Sequence, residues 1–171
     1  MRAVSMKYML LLLAQVALWN YCNFSQYLIV VFLPAMILCL PMEYGSVRLM
    51  VIAFVTGLAA DFLVTGQLGV TSFALVPVAL LRRPVVMLVF GSELLVRGEK
   101  LSFHRQSWTK ILLAIALLTA LFLLFWIWAD SAGVMPLWFN AVKFAASLAL
   151  GTAVSMPVAA IMLEETEAQW K

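Results

Sequence analysis

Asp61 is the residue best placed to do chemistry, because it puts a carboxylate inside an otherwise apolar predicted helix. An ionisable side chain at membrane depth is costly, so it requires a partner or a function. A short glycine-rich turn follows, from Gly66 to Gly69, and leads directly into another apolar stretch. Such a turn joins two helices in a tight hairpin. Asp61 is therefore expected to accept hydrogen bonds from the neighbouring turn or helix, to bind a partner or ligand, or to relay protons.

Small residues share the helix face that carries Asp61. Ala53 and Gly57 precede it at steps of four residues, a spacing that puts side chains on one side of a helix. Small side chains allow a second helix to approach closely, so the acid faces protein rather than lipid. The predicted spans contain no second acid, which argues against a proton relay. The pattern favours a structural hydrogen-bonding role for Asp61.

A second pattern lies in the last apolar stretch, where polar or small residues recur every four positions. They are Lys143, Ser147, Gly151, Ser155 and Ala159. Such a stripe suits tight packing within the helix bundle, and contact with another membrane protein is the alternative. Lys143 lies near the same predicted membrane level as Asp61. An ion pair between these two side chains is therefore a hypothesis.

Basic residues mark two further positions. Arg82 and Arg83, followed by Pro84, are interpreted as a stop signal for a membrane helix at its inner end, with lipid head-group or protein contact as the alternative. The longest polar stretch carries a second basic set. It consists of Arg97, Lys100, His104, Arg105 and Lys110. This stretch is interpreted as a solvated loop, or alternatively as a contact for anionic lipid or an acidic cytoplasmic partner.

The sequence offers few means of catalysis. The only histidine, His104, lies in a predicted loop, so a water-excluded catalytic triad is not expected. No phosphate-binding glycine loop with lysine appears. One histidine and two separated cysteines, Cys22 and Cys39, give no metal-ligand spacing. No basic cluster alternates with aromatic residues, as nucleic acid binding would require. We expect a non-catalytic protein without metal, cofactor or nucleic acid.

The composition is that of a membrane protein. The 171-residue chain is 65% hydrophobic and 11% charged, whereas soluble domains are about 25% charged. Its mean hydropathy is +1.06. A soluble core of this size could not bury so much apolar surface, so the solvent is largely lipid. Since one span needs about 20 apolar residues, the predicted fold is an all-α bundle of six transmembrane helices in a single transmembrane domain.

The predicted spans follow the apolar runs between polar breaks. They cover about 7–19, 27–40, 47–65, 70–83, 111–129 and 138–163. Pro34 is expected to kink the second helix, which membrane helices tolerate. Residues 84–96 are apolar but interrupted by small and polar residues, so they are predicted to form an interfacial segment.

The distribution of basic residues predicts the orientation. Cytoplasmic loops of membrane proteins carry an excess of lysine and arginine. With a cytoplasmic N-terminus, ten of the eleven basic residues fall on that side, namely Arg2, Lys7, Arg48, Arg82, Arg83, Arg97, Lys100, Arg105, Lys110 and Lys171. The eleventh, Lys143, lies about one turn inside the last helix and can extend outward. Both termini are therefore predicted to be cytoplasmic.

The hairpin residues resemble those of a known family. The run Gly57-Leu58-Ala59-Ala60-Asp61, the turn Gly66-Gln67-Leu68-Gly69 and the end Leu80-Leu81-Arg82-Arg83-Pro84 are similar to the rod shape-determining protein MreD family. The resemblance implies a non-catalytic inner-membrane scaffold of the bacterial cell-elongation complex. Its implied partners are an MreC-like bitopic membrane protein, a RodA-like glycosyltransferase with its transpeptidase and, indirectly, the MreB filament.

A small-molecule importer is the alternative, because the MreD family is similar in helix arrangement to the substrate-binding subunits of energy-coupling factor transporters. Such a subunit needs an outward-facing pocket with convergent polar groups. The candidates for that role are Asn20, Asn23, Gln26, Asp130 and Asn140. The outer loops are short, whereas a scaffold needs mainly packing faces. The sequence therefore favours the scaffold.

Overall fold

The helical content agrees with the prediction. The computed structural model describes residues 2–21, 28–41, 44–64, 68–91, 107–131 and 136–168. Within these ranges the chain forms six α-helices and no strand. The helices are α1 (Arg2–Tyr21), α2 (Leu33–Cys39), α3 (Ser46–Val64), α4 (Val70–Phe90), α5 (Trp108–Ser131) and α6 (Leu137–Ala168). The all-α prediction is confirmed.

Four of these helices are long and apolar enough to cross a membrane. They are α3, α4, α5 from Trp108 to Asp130, and α6 from Trp138 to Met162. Large apolar side chains such as Phe62 on α3 and Leu88 on α4 point outward and are 73% and 77% exposed. Exposed apolar side chains on this scale fit contact with lipid rather than water. The four helices therefore indicate a membrane protein.

The short helix α2 lies inside the bundle. It packs against α4, α5 and α6, and more lightly against α1. Every side chain from Val31 to Leu38 is buried. Around it, α3 packs on α4, α4 on α5, and α5 on α6, so the longer helices form a continuous wall. The core consists of α2 and the inward faces of these helices.

The prediction of one helix over 27–40 is wrong. Residues 28–32 belong to no helix or strand, and α2 contains only the 7 residues from Leu33 to Cys39. Pro34 occupies the first turn of α2 and does not kink the middle of a longer helix. Proline is favoured at this position because its missing N–H has no intrahelical partner there. We call residues 28–40 the broken segment.

The predicted end of the fourth span at residue 83, and the interfacial segment over 84–96, are also wrong. Helix α4 continues to Phe90 with Pro77 and Pro84 inside it. Each proline removes only one backbone donor, which membrane helices accommodate. The helix ends at Gly91, whose φ of +87° favours glycine and whose N–H donates to the Met87 carbonyl. Residues 92–96 lie outside the described ranges.

Candidate functional site

Asp61 binds the start of α4. The side chain lies in the last turn of α3 and is only 1% exposed. Its Oδ2 accepts hydrogen bonds from the backbone N–H groups of Gly69 and Thr71, with N···O distances of 2.9 and 3.0 Å. The first N–H groups of a helix lack intrahelical partners and carry partial positive charge. The Asp61 carboxylate therefore caps α4, and the predicted hydrogen-bonding role is confirmed.

Gly69 adopts the conformation that this cap needs. Its φ of +106° lies in the left-handed region, which costs side-chain-bearing residues more than glycine. It stands immediately before α4 and aims its own N–H at Asp61. The other predicted turn glycine, Gly66, lies outside the described residues.

Gly57 is the point of closest approach between α3 and α4. A Cβ atom added there would lie 2.5 Å from the Cα atom and 2.6 Å from the backbone nitrogen of Ser72. The Ser72 hydroxyl donates a hydrogen bond of 3.0 Å to the Phe54 carbonyl on α3. Both Gly57 and Ser72 are buried. The predicted close helix packing at Gly57 is confirmed.

The stripe on α6 packs inward, against the broken segment and α5. The Ser147 hydroxyl accepts a hydrogen bond of 2.9 Å from the Ile29 backbone N–H. A Cβ at Gly151 would lie 3.2 Å from the Val31 carbonyl oxygen and 3.3 Å from a methyl carbon of Thr119. Ser155 is also buried, and its hydroxyl has no hydrogen-bond partner among the described residues. Ser147, Gly151 and Ser155 therefore lie inside the bundle.

Lys143 pairs with Asp130 and not with Asp61. Its Nζ lies 2.9 Å from the Asp130 Oδ2 and 5.1 Å from the centre of the Trp126 ring. Asp130 stands in the last turn of α5, which the following short connection brings beside the start of α6. The hypothesis of an ion pair between Lys143 and Asp61 is therefore wrong, because each charge is satisfied closer by.

Arg82 is buried, although its sequence context predicts the exposed inner end of a membrane helix. Its side chain is 1% exposed, and one terminal nitrogen donates hydrogen bonds to the carbonyls of Leu38, at 2.9 Å, and Leu40. The last carbonyls of a helix have no intrahelical hydrogen-bond donor. Arg82 supplies that donor to the carbonyls at the end of α2. The stop-signal interpretation of Arg82 is wrong, because the helix continues and the side chain turns inward. Its neighbour Arg83 is exposed.

Two side chains of α1, those of Gln15 and Trp19, form hydrogen bonds with backbone groups in the non-helical half of the broken segment. The buried amide of Gln15 donates to the Val30 carbonyl at 3.0 Å and accepts from the Phe32 N–H at 2.9 Å. The Trp19 indole donates to the same Val30 carbonyl at 2.8 Å. Backbone outside helices must find such partners at membrane depth. The available sequence signal was a glutamine within the apolar run of the first predicted helix.

Comparison with known proteins adds no assignment. No protein-family model, curated protein or solved structure matches the chain. The function must therefore be argued from the geometry of the described residues. Three predicted basic residues, Arg97, Lys100 and Arg105, lie outside them.

The described residues include no metal-ligand cluster. No group of three or more His, Cys, Asp or Glu side chains lies together in this part of the chain. An open pocket of about 250 Å³ lies between α5 and α6. It is lined by Leu124, Ile127, Trp128, Asn140 and Phe144. Of the polar residues considered for ligand binding, Asn140 faces this mostly apolar pocket.

Proposed function

We propose that this chain is a non-catalytic scaffold of the bacterial cell-elongation complex, of the MreD type. One observation carries the proposal: three residues of the MreD-like motif, Gly57, Asp61 and Gly69, build the α3–α4 hairpin. Asp61 caps α4 through the N–H groups of Gly69 and Thr71, and Gly57 lets Ser72 approach. Motif residues that build a rigid element, rather than line a cavity, suit a protein that acts by holding partners.

The proposed partners follow from the same resemblance. They are an MreC-like bitopic membrane protein, a RodA-like glycosyltransferase with its transpeptidase and, through them, the MreB filament. Contact with the membrane partners would come from packing between helices within the bilayer, where small residues and shape complementarity supply the binding energy. A rigid hairpin offers such partners a fixed surface.

We further propose six membrane crossings with both termini in the cytoplasm of a bacterial cell. The broken segment is the candidate for the second crossing: its five non-helical and seven helical residues span at most about 27 Å, against an apolar bilayer thickness of ~30 Å. Lys7 near the start of α1 lies with its Nζ 3.5 Å from the Ile161 carbonyl oxygen near the end of α6. This contact supports the two ends of the chain lying on one side.

Affinity purification tests the scaffold directly. The tagged protein is isolated from gently solubilised native membranes, and co-purifying proteins are identified by mass spectrometry. We expect an MreC-like bitopic protein together with cell-wall synthases. A Gly57→Leu variant, which cannot form the hairpin, should lose them, whereas Phe62→Leu on the exposed face of α3 should retain them. Recovery of neither partner with the unmodified chain would contradict the proposal.

The broken segment favours a second candidate, the substrate-binding subunit of an energy-coupling factor type importer. Discontinuous membrane segments form substrate sites in many transporters, because their free backbone groups point into the bundle. Residues 28–32 are a non-helical stretch of this kind inside the bundle, and the side chains of Gln15, Trp19 and Ser147 bind their backbone groups. The same purification separates the two candidates, since an importer subunit would recover paired ATPases and a transmembrane coupling subunit.

A further inference from the structure

The broken segment is held by side chains at both of its ends. At the non-helical end, the backbone of residues 29, 30 and 32 forms hydrogen bonds with the side chains of Gln15, Trp19 and Ser147. At the other end, Arg82 is the only side chain in the described part of the chain that hydrogen-bonds the segment's backbone, at the carbonyls of Leu38 and Leu40. Those contacts come from one terminal nitrogen of a single guanidinium group. Among the described residues, the side-chain hydrogen bonds to the carboxyl end of the segment thus all come from one residue.

Arg82 is an unusual residue to bury in an apolar bundle. Among the described residues, its guanidinium forms no ion pair with a carboxylate, and its Nε atom is buried without a hydrogen-bond partner. A buried charge without a counter-charge is costly unless hydrogen bonds compensate. The Leu38 and Leu40 carbonyls provide that compensation only while α2 stays in place. The charge and the segment position therefore depend on each other.

We propose that the broken segment is a movable element of the bundle and that Arg82 is the latch that holds its carboxyl end. Although α2 is buried in the core, α3, α4, α5 and α6 also pack directly on one another in series, so these helices keep contacts of their own when the segment is released. The segment itself has only the short helix α2, so few of its backbone hydrogen bonds are internal. This inference is independent of the proposed scaffold function.

Cys39 reports on the latch, because it is the last residue of α2 and only half-buried. The chain has two cysteines, so Cys22→Ser leaves Cys39 as the single thiol. The rate of maleimide labelling is measured on the purified full chain in detergent. We expect Arg82→Gln to raise the Cys39 labelling rate at least about tenfold, equivalent to about 1.4 kcal/mol. Arg83→Gln removes the same charge from the exposed neighbour and should leave the rate unchanged.

Hydrogen–deuterium exchange distinguishes release of the segment from general unfolding. In Arg82→Gln, we expect faster exchange within residues 28–40 and unchanged exchange in α3, α5 and α6. Faster exchange in all helices would overturn the proposal, since Arg82 would then stabilise the whole fold. Labelling of Arg82→Gln at the unmodified rate, or an equal increase in Arg83→Gln, would also overturn it.

A conservative variant keeps the test decisive if Arg82→Gln fails to fold. Arg82→Lys retains the positive charge but lacks the planar group that reaches two acceptors from fixed positions. We expect it to raise Cys39 labelling as well, by a smaller factor. If lysine restores the unmodified rate, charge alone holds the segment and the latch geometry is not required, which contradicts the proposal.

Discussion

Two carboxylates of this chain lie near helix ends, yet they differ in what surrounds them. Asp61 is 1% exposed and accepts hydrogen bonds from two backbone N–H groups. Asp130 is 38% exposed and pairs with Lys143. Hydrogen bonds to buried charged groups contribute more than exposed ion pairs, because solvent screens the latter. The hairpin should therefore depend on Asp61 far more than the α5–α6 connection depends on Asp130.

Alanine substitution of these two carboxylates tests that difference. We expect Asp61→Ala to lower the free energy of unfolding by about 2–3 kcal/mol, because two buried N–H donors lose a charged acceptor. Asp130→Ala should cost less than about 1 kcal/mol. Unfolding is followed by circular dichroism during titration of mixed micelles with denaturing detergent. Equal losses in the two variants would contradict the assigned role of Asp61.

Gly69 supplies a second prediction at this scale. A left-handed φ costs a residue with a side chain about 1–2 kcal/mol, although the space around Gly69 is open. Gly69→Ala should therefore destabilise the protein by that amount through its backbone alone. The same detergent titration measures it, with Gly69→Asn as control, because asparagine tolerates this conformation better. A neutral Gly69→Ala variant would mean that the turn adopts another conformation in solution.

At the scale of elements, the hairpin depends on the contact between Gly57 and Ser72. A Cβ at position 57 would come within 2.6 Å of Ser72 backbone atoms, which cannot move without shifting α4. At Gly151 the nearest atoms would be 3.2 and 3.3 Å away, and one belongs to a side chain. The two glycines therefore tolerate substitution to different degrees.

Alanine and leucine variants measure this difference. Gly57→Ala should cost at least about 1–3 kcal/mol, as overpacking of a tight core does, and Gly151→Ala should cost less. Leucine at either position should disrupt the packing while the protein still inserts into the membrane. Gly45→Leu is the control, because nothing lies within 4 Å of a Cβ there. Membrane fractionation measures insertion, and gel filtration in mild detergent measures the folded fraction. Normal profiles for both leucine variants would refute the packing role.

The hairpin was predictable because its signals are local. Gly57, Asp61 and Gly69 lie within 13 residues, and each type has a distinct physical use at its spacing. The broken segment was missed because an apolar run has the same hydropathy whether it is extended or helical. Pro34 does mark the start of α2, but a proline inside a membrane helix looks the same in sequence.

The partners of charged side chains were harder to predict than the helices. Arg82 was assigned to the inner end of a membrane helix because basic residues usually mark the cytoplasmic side, and nothing in its sequence neighbours reveals that the side chain turns inward. Lys143 was matched to Asp61 by predicted depth alone. Its actual partner, Asp130, lies 13 residues away across one helix connection. Depth along a helix does not fix which neighbour a side chain faces.

At the scale of the whole molecule, the orientation is open to a direct test. A membrane-impermeant thiol reagent is applied to intact spheroplasts that carry either cysteine alone, through Cys39→Ser or Cys22→Ser. We expect Cys22, between the first two predicted spans, to be labelled and Cys39 to be spared, as both termini in the cytoplasm require. Permeabilised cells serve as the control for reactivity. Labelling of Cys39 but not Cys22 in intact spheroplasts would reverse the orientation.

The hydrogen bonds of the broken segment also constrain the order of biosynthesis. Ile29 is made early, but the Ser147 hydroxyl that accepts its N–H is made 118 residues later. Arg82, which satisfies the other end, comes 42 residues after Leu40. Lipid offers exposed backbone groups no substitute partners. Residues 28–40 therefore cannot take their final place as they leave the ribosome, and the nascent chain must wait for its last helix before the centre of the protein can close.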